Sequence, residues 1–195
     1  MIEFVYHLKP NNLNGNTLYP LNVLRDIYPD SYNFHIQKYS YRKELMKAKF
    51  PIANCLWNDV LHLSPVDIGI LIDNQISIFR ATEKEKYLDL ERINNRKYYK
   101  IDIRKLNSAN LYIYNTLEAS NDMDETMDKI KEQFYDWENG NHLLSNQITT
   151  GQIAYFNKCS ENLSLPRYLF TAIPHVLYLG NIDLAITEEI TYQYK

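Results

Sequence analysis

Several signatures that would announce a function are missing from this chain. There is no GxGxxG, no GxxxxGK[ST], no HExxH and no GxSxG, so dinucleotide-binding Rossmann, P-loop, zincin and serine-hydrolase readings have no support. Any chemistry must come from residues scattered along the chain. The two cysteines, Cys55 and Cys159, lack CxxC spacing and are too few for a disulfide framework. They read as free thiols in a packed interior. No segment approaches the ~20 apolar residues of a membrane-spanning helix, and "MIEFVYHLK" lacks the basic flank and apolar core of a secretory signal. The expected setting is cytoplasmic, away from membranes. Internal repeats, low-complexity tracts and linkers are likewise missing, so residues 1–195 are expected to form one domain.

What is present is an ordinary globular composition, 45% hydrophobic and 23% charged, with a net charge of −3. The charge is segregated. Glu118 to Glu138 carries eight acids against Lys129 and Lys131, and Glu83 to Lys105 carries eight bases against five acids. The mildly acidic total argues against generic nucleic-acid binding. The basic stretch from Lys84 to Lys105 reads either as a surface for phosphates or as a solvated face.

Periodicity sketches the elements. "IEFVYHL" has the β-branched and aromatic content of a strand. In "LYPLNVLRDIYP", Leu21, Leu24 and Ile27 recur at helical spacing until Pro29. A second helix is expected after Asp30 or Ser31, turning Phe34, Tyr39, Leu45 and Met46 inward. Ser64-Pro65 reads as an N-cap with proline at the first helical position, opening a short helix to Ile72. "ISIFR" reads as a strand, and Thr82 with Glu85 as a capping box that opens a charged helix toward Asn94. "YYKIDI" and "LYIYNT" are two further strands. Asn121 is placed to cap an amphipathic helix carrying Met123, Met127, Ile130, Phe134 and Trp137, with Gly140 past its end. From "YLFTAIPHVLYLG" onward the chain reads mainly as strand. The order predicts an α+β fold with mixed central sheets and helices mainly in the N-terminal half.

Four places carry groups able to do chemistry. His7 ends the first strand, before an Asn-rich loop. An imidazole there either hydrogen-bonds a ligand hydroxyl, beside a stacking ring from Tyr6 or Tyr19, or is a half-buried structural histidine. In "CLWNDVLHLSPV", Asp59 and His62 pair if the segment is helical and fall on opposite faces if it is extended. A pair would orient a general base; otherwise Asn58, Asp59 and His62 form a hydrogen-bonded structural knot, with Trp57 in the core. His175 follows Pro174 at the start of a strand. Glu188 and Glu189 lie on the C-terminal strand, either solvent-facing or as a catalytic carboxylate. His35 and His142 read as surface residues, and nothing in the histidine spacing points to a metal.

Taken in order, "VYHLKPNNL", "DVLHLSPV", "YKIDIRKLNSANLYIYNT" and "PHVLYLGNIDLAITEEITY" resemble the elements of the DNA-targeting ADP-ribosyltransferase toxins of bacteria. The chain also resembles conserved bacterial proteins of unknown function that share a "LYPLN…CLWNDVLHLSPV…PHVLY" series. The first resemblance implies an ADP-ribosyltransferase-like arrangement, NAD as cofactor, and a nucleic acid or protein as the substrate that is modified. It places His7 at the NAD ribose and Tyr19 over the nicotinamide, with Tyr6 and Asn22 completing the cofactor-binding set. The family's catalytic glutamate, which stabilises an oxocarbenium-like transition state, falls on His175. Glu188 or Glu189 would then have to supply a carboxylate from the neighbouring strand, making Glu189, Glu188 and His175 the catalytic candidates. The alternative that this departure opens is a non-catalytic nucleotide- or partner-binding protein. An unrelated α+β protein with a structural knot at Asn58, Asp59 and His62 is the third reading.

Overall fold

The computed structural model describes residues 2–40, 43–50, 52–115 and 133–194. In chain order the strands are β1 (Phe4–Leu8), β2 (Thr17–Leu18), β3 (Lys49–Phe50), β4 (Cys55–Leu56), β5 (Leu61–Leu63), β6 (Lys97–Asp102), β7 (Leu111–Tyr114), β8 (Phe134–Asp136), β9 (His175–Tyr178), β10 (Ile182–Asp183) and β11 (Thr187–Thr191). The helices are α1 (Leu21–Ile27), α2 (Pro29–Ile36), α3 (Ile68–Ala81), α4 (Leu90–Ile93), α5 (Trp137–Gly140) and α6 (Thr150–Glu161). This is the α+β mixture expected, built on small antiparallel sheets.

Two sheets carry the architecture. One has the order β1-β6-β11, the other β5-β9-β7-β8, and every pairing is antiparallel. They meet at a single residue pair: Tyr6 and Ser64 exchange two main-chain hydrogen bonds of 2.8 Å. Short ladders β2–β10 and β3–β4 flank them.

Strand alternation divides the interior. Val5, Tyr99 and Ile101 face one way and pack with Leu61, Leu63, Leu111, Val176 and Tyr178. Tyr6, Leu8, Tyr98 and Ile190 face the other way, toward α3 and α6. A third cluster, Phe50, Val60, Phe134 and Leu177 with Trp57, Tyr112 and Tyr114, covers the opposite face of the second sheet.

Helix α3 corrects three sequence expectations. Its buried stripe, Ile68, Leu71, Ile72, Gln75, Ile76 and Phe79, runs unbroken through "ISIFR", so that segment is helical and not a strand. The N-cap is Asp67, whose Oδ1 accepts from the Gly69 amide at 2.7 Å. Ser64 instead closes a local turn on Val66, through its hydroxyl. Thr82 ends α3 and opens nothing; Asp89 caps the short α4. Phe34 is 44% exposed while Tyr39 is buried, so only the latter turns inward as expected. Among the described residues α1 to α4 precede β6 and α5 and α6 follow it, with the two longest, α3 and α6, one in each half of the chain. The expected cap at Asn121 and its apolar face Met123, Met127 and Ile130 lie outside the described residues. Phe134 belongs to β8 and Gly140 is the last residue of α5. No described helix is long and apolar enough to cross a membrane.

Candidate functional site

The junction between the two sheets positions the site. Beyond Tyr6, β1 continues through His7 and Leu8 while remaining paired to β6, and β5 runs back through Leu63 and His62 while remaining paired to β9. A second bridge would set Leu8 opposite His62, and none forms there: the strands part. His7 borders the split from β1, His62 from β5, and His175 stands on β9 next door. Helix α2 and the turn at Gln37–Tyr39 add His35 and Lys38, the latter with its ammonium 5.0 Å from the Tyr39 ring centre. Four of the five histidines therefore gather at one place, leaving only His142 elsewhere.

The rings touch in a chain. Trp57 lies against His62, with centroids 4.5 Å apart, and His62 meets His175 edge to face at 6.1 Å. Tyr114 and Phe170 approach His175 at 5.8 and 6.2 Å. All three strand histidines are largely surrounded by protein, and each keeps part of its surface accessible.

Burial in this setting disfavours the imidazolium. Burial first, then the Lys38 charge, pushes His7 down to about 4. Burial and then His175 push His62 down to about 3, and burial alone pushes His175 down to about 4. His35 is lowered by burial and by Lys38. The strand imidazoles are thus neutral at pH 7, and no carboxylate is among the main charges that bear on them.

Hydrogen bonds sort the ring nitrogens. His62 Nε2 lies 3.1 Å from the Trp57 carbonyl, and His175 Nε2 lies 2.9 Å from that of Phe170. The Nδ1 atoms of His7 and His175, Nε2 of His35 and the amide nitrogen of Asn58 are buried without a partner among the described residues. Buried polar atoms in native proteins normally have a partner.

The sequence-chosen residues divide between this histidine cluster and other tasks. His62 neighbours both His175, ring to ring, and His7, whose charge bears on it. Tyr6 is next to His7 but on the opposite face of β1, against Tyr98, and burial with the charge of Asp67 pushes its phenol up to about 12. Tyr19 packs against Tyr28 at 6.0 Å. Asn22 donates to Asp59 Oδ1 at 2.7 Å, and Asp59 Oδ2 accepts from the Leu56 amide at 2.6 Å. Asp59 and His62 do not pair, because the chain passes from a 3-10 turn at Trp57–Asp59 into β5 between them. Glu188 and Glu189 lie on β11, across β6 from β1. Glu189 is gripped by Lys9 at 2.6 Å and Lys97 at 2.9 Å, which hold it below the usual carboxylate range, and Glu188 faces Lys100 at 3.3 Å. Glu189 lines its own open groove of about 460 Å³ with Lys9, Asn11, Tyr99 and Thr187.

One member of the cluster reads differently in the sequence: His35, expected at the surface from its polar surroundings, is half-buried near Lys38, whereas Trp57 packs on the third core cluster as expected. The signal that gathers the histidines is strand adjacency, which no local window contains. The basic stretch is also less free than its composition suggests: Lys97, Lys100 and Arg104 are paired with Glu189, Glu188 and Asp102. No group of three or more metal-ligating side chains is arranged to hold an ion among the described residues.

No protein-family model, no curated protein and no solved structure matches this chain.

Proposed function

We propose that the histidine cluster at the parting of β1 and β5 marks a binding place for NAD or a related nucleotide, in an ADP-ribosyltransferase-like arrangement, and that the protein acts chiefly as a binding module. The observation that carries this reading is the grouping of His7, His62 and His175 at the parting of the two sheets. The resemblance puts His7 and His175 at one ligand, and His62 neighbours both.

The residues suit such a ligand. Flat rings at Trp57, Tyr114 and Phe170 match a planar base or pyridine ring. His7 is available to a ribose hydroxyl, and Lys38 supplies positive charge nearby for a phosphate. NAD, when bound, supplies a glycosidic bond whose cleavage develops positive charge on the sugar. A neutral imidazole at position 175 accepts a hydrogen bond but offers that charge no counter-ion. Glu188 and Glu189 are engaged with lysines one strand beyond β6. Binding without efficient turnover follows, with a nucleic acid or protein recruited as partner and not as modified substrate.

The test is titration calorimetry of the purified protein with NAD, repeated on His7→Ala, alongside an assay for released nicotinamide. Binding that weakens in the variant, without nicotinamide release, supports the module. Release dependent on His7 would favour a transferase or glycohydrolase. Failure of millimolar NAD to bind would remove the reading.

A further inference from the structure

Away from the histidine cluster, the 9–16 loop and β11 enclose an open groove of about 460 Å³ on the β1-β6-β11 sheet. That volume lies within the ~300–1,000 Å³ typical of small-molecule sites. The walls are tied in place. The Lys9 amide donates to the Lys97 carbonyl at 3.0 Å, the Leu184 amide donates to that of Asn16 at 2.8 Å, and β2 pairs with β10 just beyond. Tyr99 stands directly opposite Glu189 and forms part of the lining, with the Lys9 ammonium 5.9 Å from its ring centre. Leu13 and Leu184 add an apolar flank, and Asn11 and Thr187 add polar groups.

The charged side chains form a row. Lys9 Nζ donates to Glu189 Oε2 at 2.6 Å, and Lys97 Nζ donates to Oε1 at 2.9 Å. Side-chain exposures of 30, 35 and 49% for Lys9, Glu189 and Lys97 leave all three reachable from solvent. An ammonium has three N–H donors and each carboxylate oxygen two lone pairs, so the row keeps donors and acceptors to spare, in alternation. Thr187 gives its hydroxyl proton to the Leu184 carbonyl at 2.9 Å, which leaves its oxygen as an acceptor.

This charge pattern narrows the ligand. An anion would gain from the lysines but confront Glu189, and a cation would meet the reverse conflict. A hydroxyl both donates and accepts, so it takes a hydrogen bond from Lys9 and returns one to Glu189. We infer that the groove is a second binding site, for a neutral polyhydroxylated ring of the saccharide class. Neighbouring hydroxyls of the ring straddle the Lys9–Glu189–Lys97 row while its C–H face lies on Leu13 and Leu184. The inference stands on the groove alone and does not depend on the nucleotide reading.

The test is a titration of the full chain with the methyl glycosides of glucose, mannose and galactose, followed by amide NMR shifts. Glucosamine and glucose 6-phosphate serve as charged counterparts. At least one neutral glycoside should bind at millimolar concentration and shift the amides of Gly15, Thr187 and Glu189, leaving those of His62 and His175 unmoved. Glu189→Gln loses an acceptor and turns an amide NH2 toward a lysine. It should weaken binding at least about tenfold, as for lost hydrogen bonds to a charged group. Lys9→Met should do the same, and decides alone should Glu189→Gln not fold. Groove amides that none of the three glycosides moves would overturn the inference. So would variants that bind as the wild type does, or a charged sugar that binds more tightly than the neutral ones.

Discussion

His7 and Glu189 occupy one row of the three-stranded sheet, each directly opposite Tyr99 on β6 from its own side, yet they serve different places. His7 borders the split toward β5. Glu189 lies in the groove beside the 9–16 loop, where Lys9 and Lys97 hold it. Two strand spacings, on the order of 10 Å, separate their backbones. A carboxylate committed to two lysines at that distance is a poor partner for a ligand at the histidines.

Glu189→Gln should therefore leave NAD binding unchanged within a factor of about two, measured by calorimetry. Its effect on stability should stay within about 1 kcal/mol and shrink at high salt, because exposed ion pairs are worth little and are screened. A large loss of nucleotide affinity in this variant would place Glu189 in the site after all.

Acid should loosen the fold before the carboxylates titrate. In the folded chain His7, His62 and His175 bind protons only near pH 3 to 4, whereas free histidine does so near 6.5. The unfolded state thus takes up more protons as pH falls below about 6.5, and stability declines with it. The contribution of the neutral imidazoles is fully present above about 6.5 and is lost progressively down toward pH 4. Melting temperature measured from pH 7.5 to 4.5 should fall, and His62→Phe should flatten that slope even if it lowers the absolute value. The cluster's own charges, Lys38 with His35, act in the same direction, since each disfavours a further cation. A flat profile would mean the rings are hydrated and free to protonate.

Much of the scaffold was legible. β1, α1, β6, β7 and β9 follow from β-branched and aromatic content or helical spacing, and β7 shows the expected alternation of burial, although α1 buries only Leu21. Helix α3 was misread in part because "ISIFR", seen alone, has the β-branched look of a strand. Only the spacing continued from Ile68 shows otherwise. Helix α6 escaped because its buried side includes Gln152 and Ser160 along with Phe156 and Cys159, so its apolar stripe is thin. The site was half legible. His7 and His175 could be nominated singly, but their grouping around His62 depends on one bridge between residues 6 and 64, a long-range pairing that leaves no trace in either segment. Glu188 and Glu189 read as acids on a late strand; that strand joins β6 from the side away from β1, where lysines engage both.

Asp59 tests the same point from the structural side. Its carboxylate ties the α1 residue Asn22 to the turn that carries Trp57 toward His62. Asp59→Ala should cost about 1–3 kcal/mol, since it removes one bond and leaves the Leu56 amide without its acceptor. Asn22→Ala should cost less, about 0.5–1.5 kcal/mol. In a double-mutant cycle by urea unfolding the two should couple, because they share one hydrogen bond. Additive losses would mean that the bond contributes nothing.

The start of α3 ties the helix to the first sheet. Asp67 Oδ1 accepts from the Gly69 amide at 2.7 Å and from the Tyr98 hydroxyl at 2.9 Å, so one oxygen both caps α3 and anchors it to β6. Burial and then this bond push the Tyr98 phenol well above its ordinary range, so the hydroxyl stays protonated and remains a donor throughout the neutral region. Asp67→Ala removes the cap, which is worth about 0.5–2 kcal/mol. It also strands the Tyr98 hydroxyl, adding about 1–3 kcal/mol for an unsatisfied group. Asp67→Asn keeps an accepting oxygen and should lose far less, because asparagine caps as well as aspartate does. Tyr98→Phe should cost little in the Asp67→Ala background and more in the wild type. If Asp67→Asn proves as damaging as Asp67→Ala in chemical denaturation, the negative charge and not the shared hydrogen bond is what holds α3 to β6.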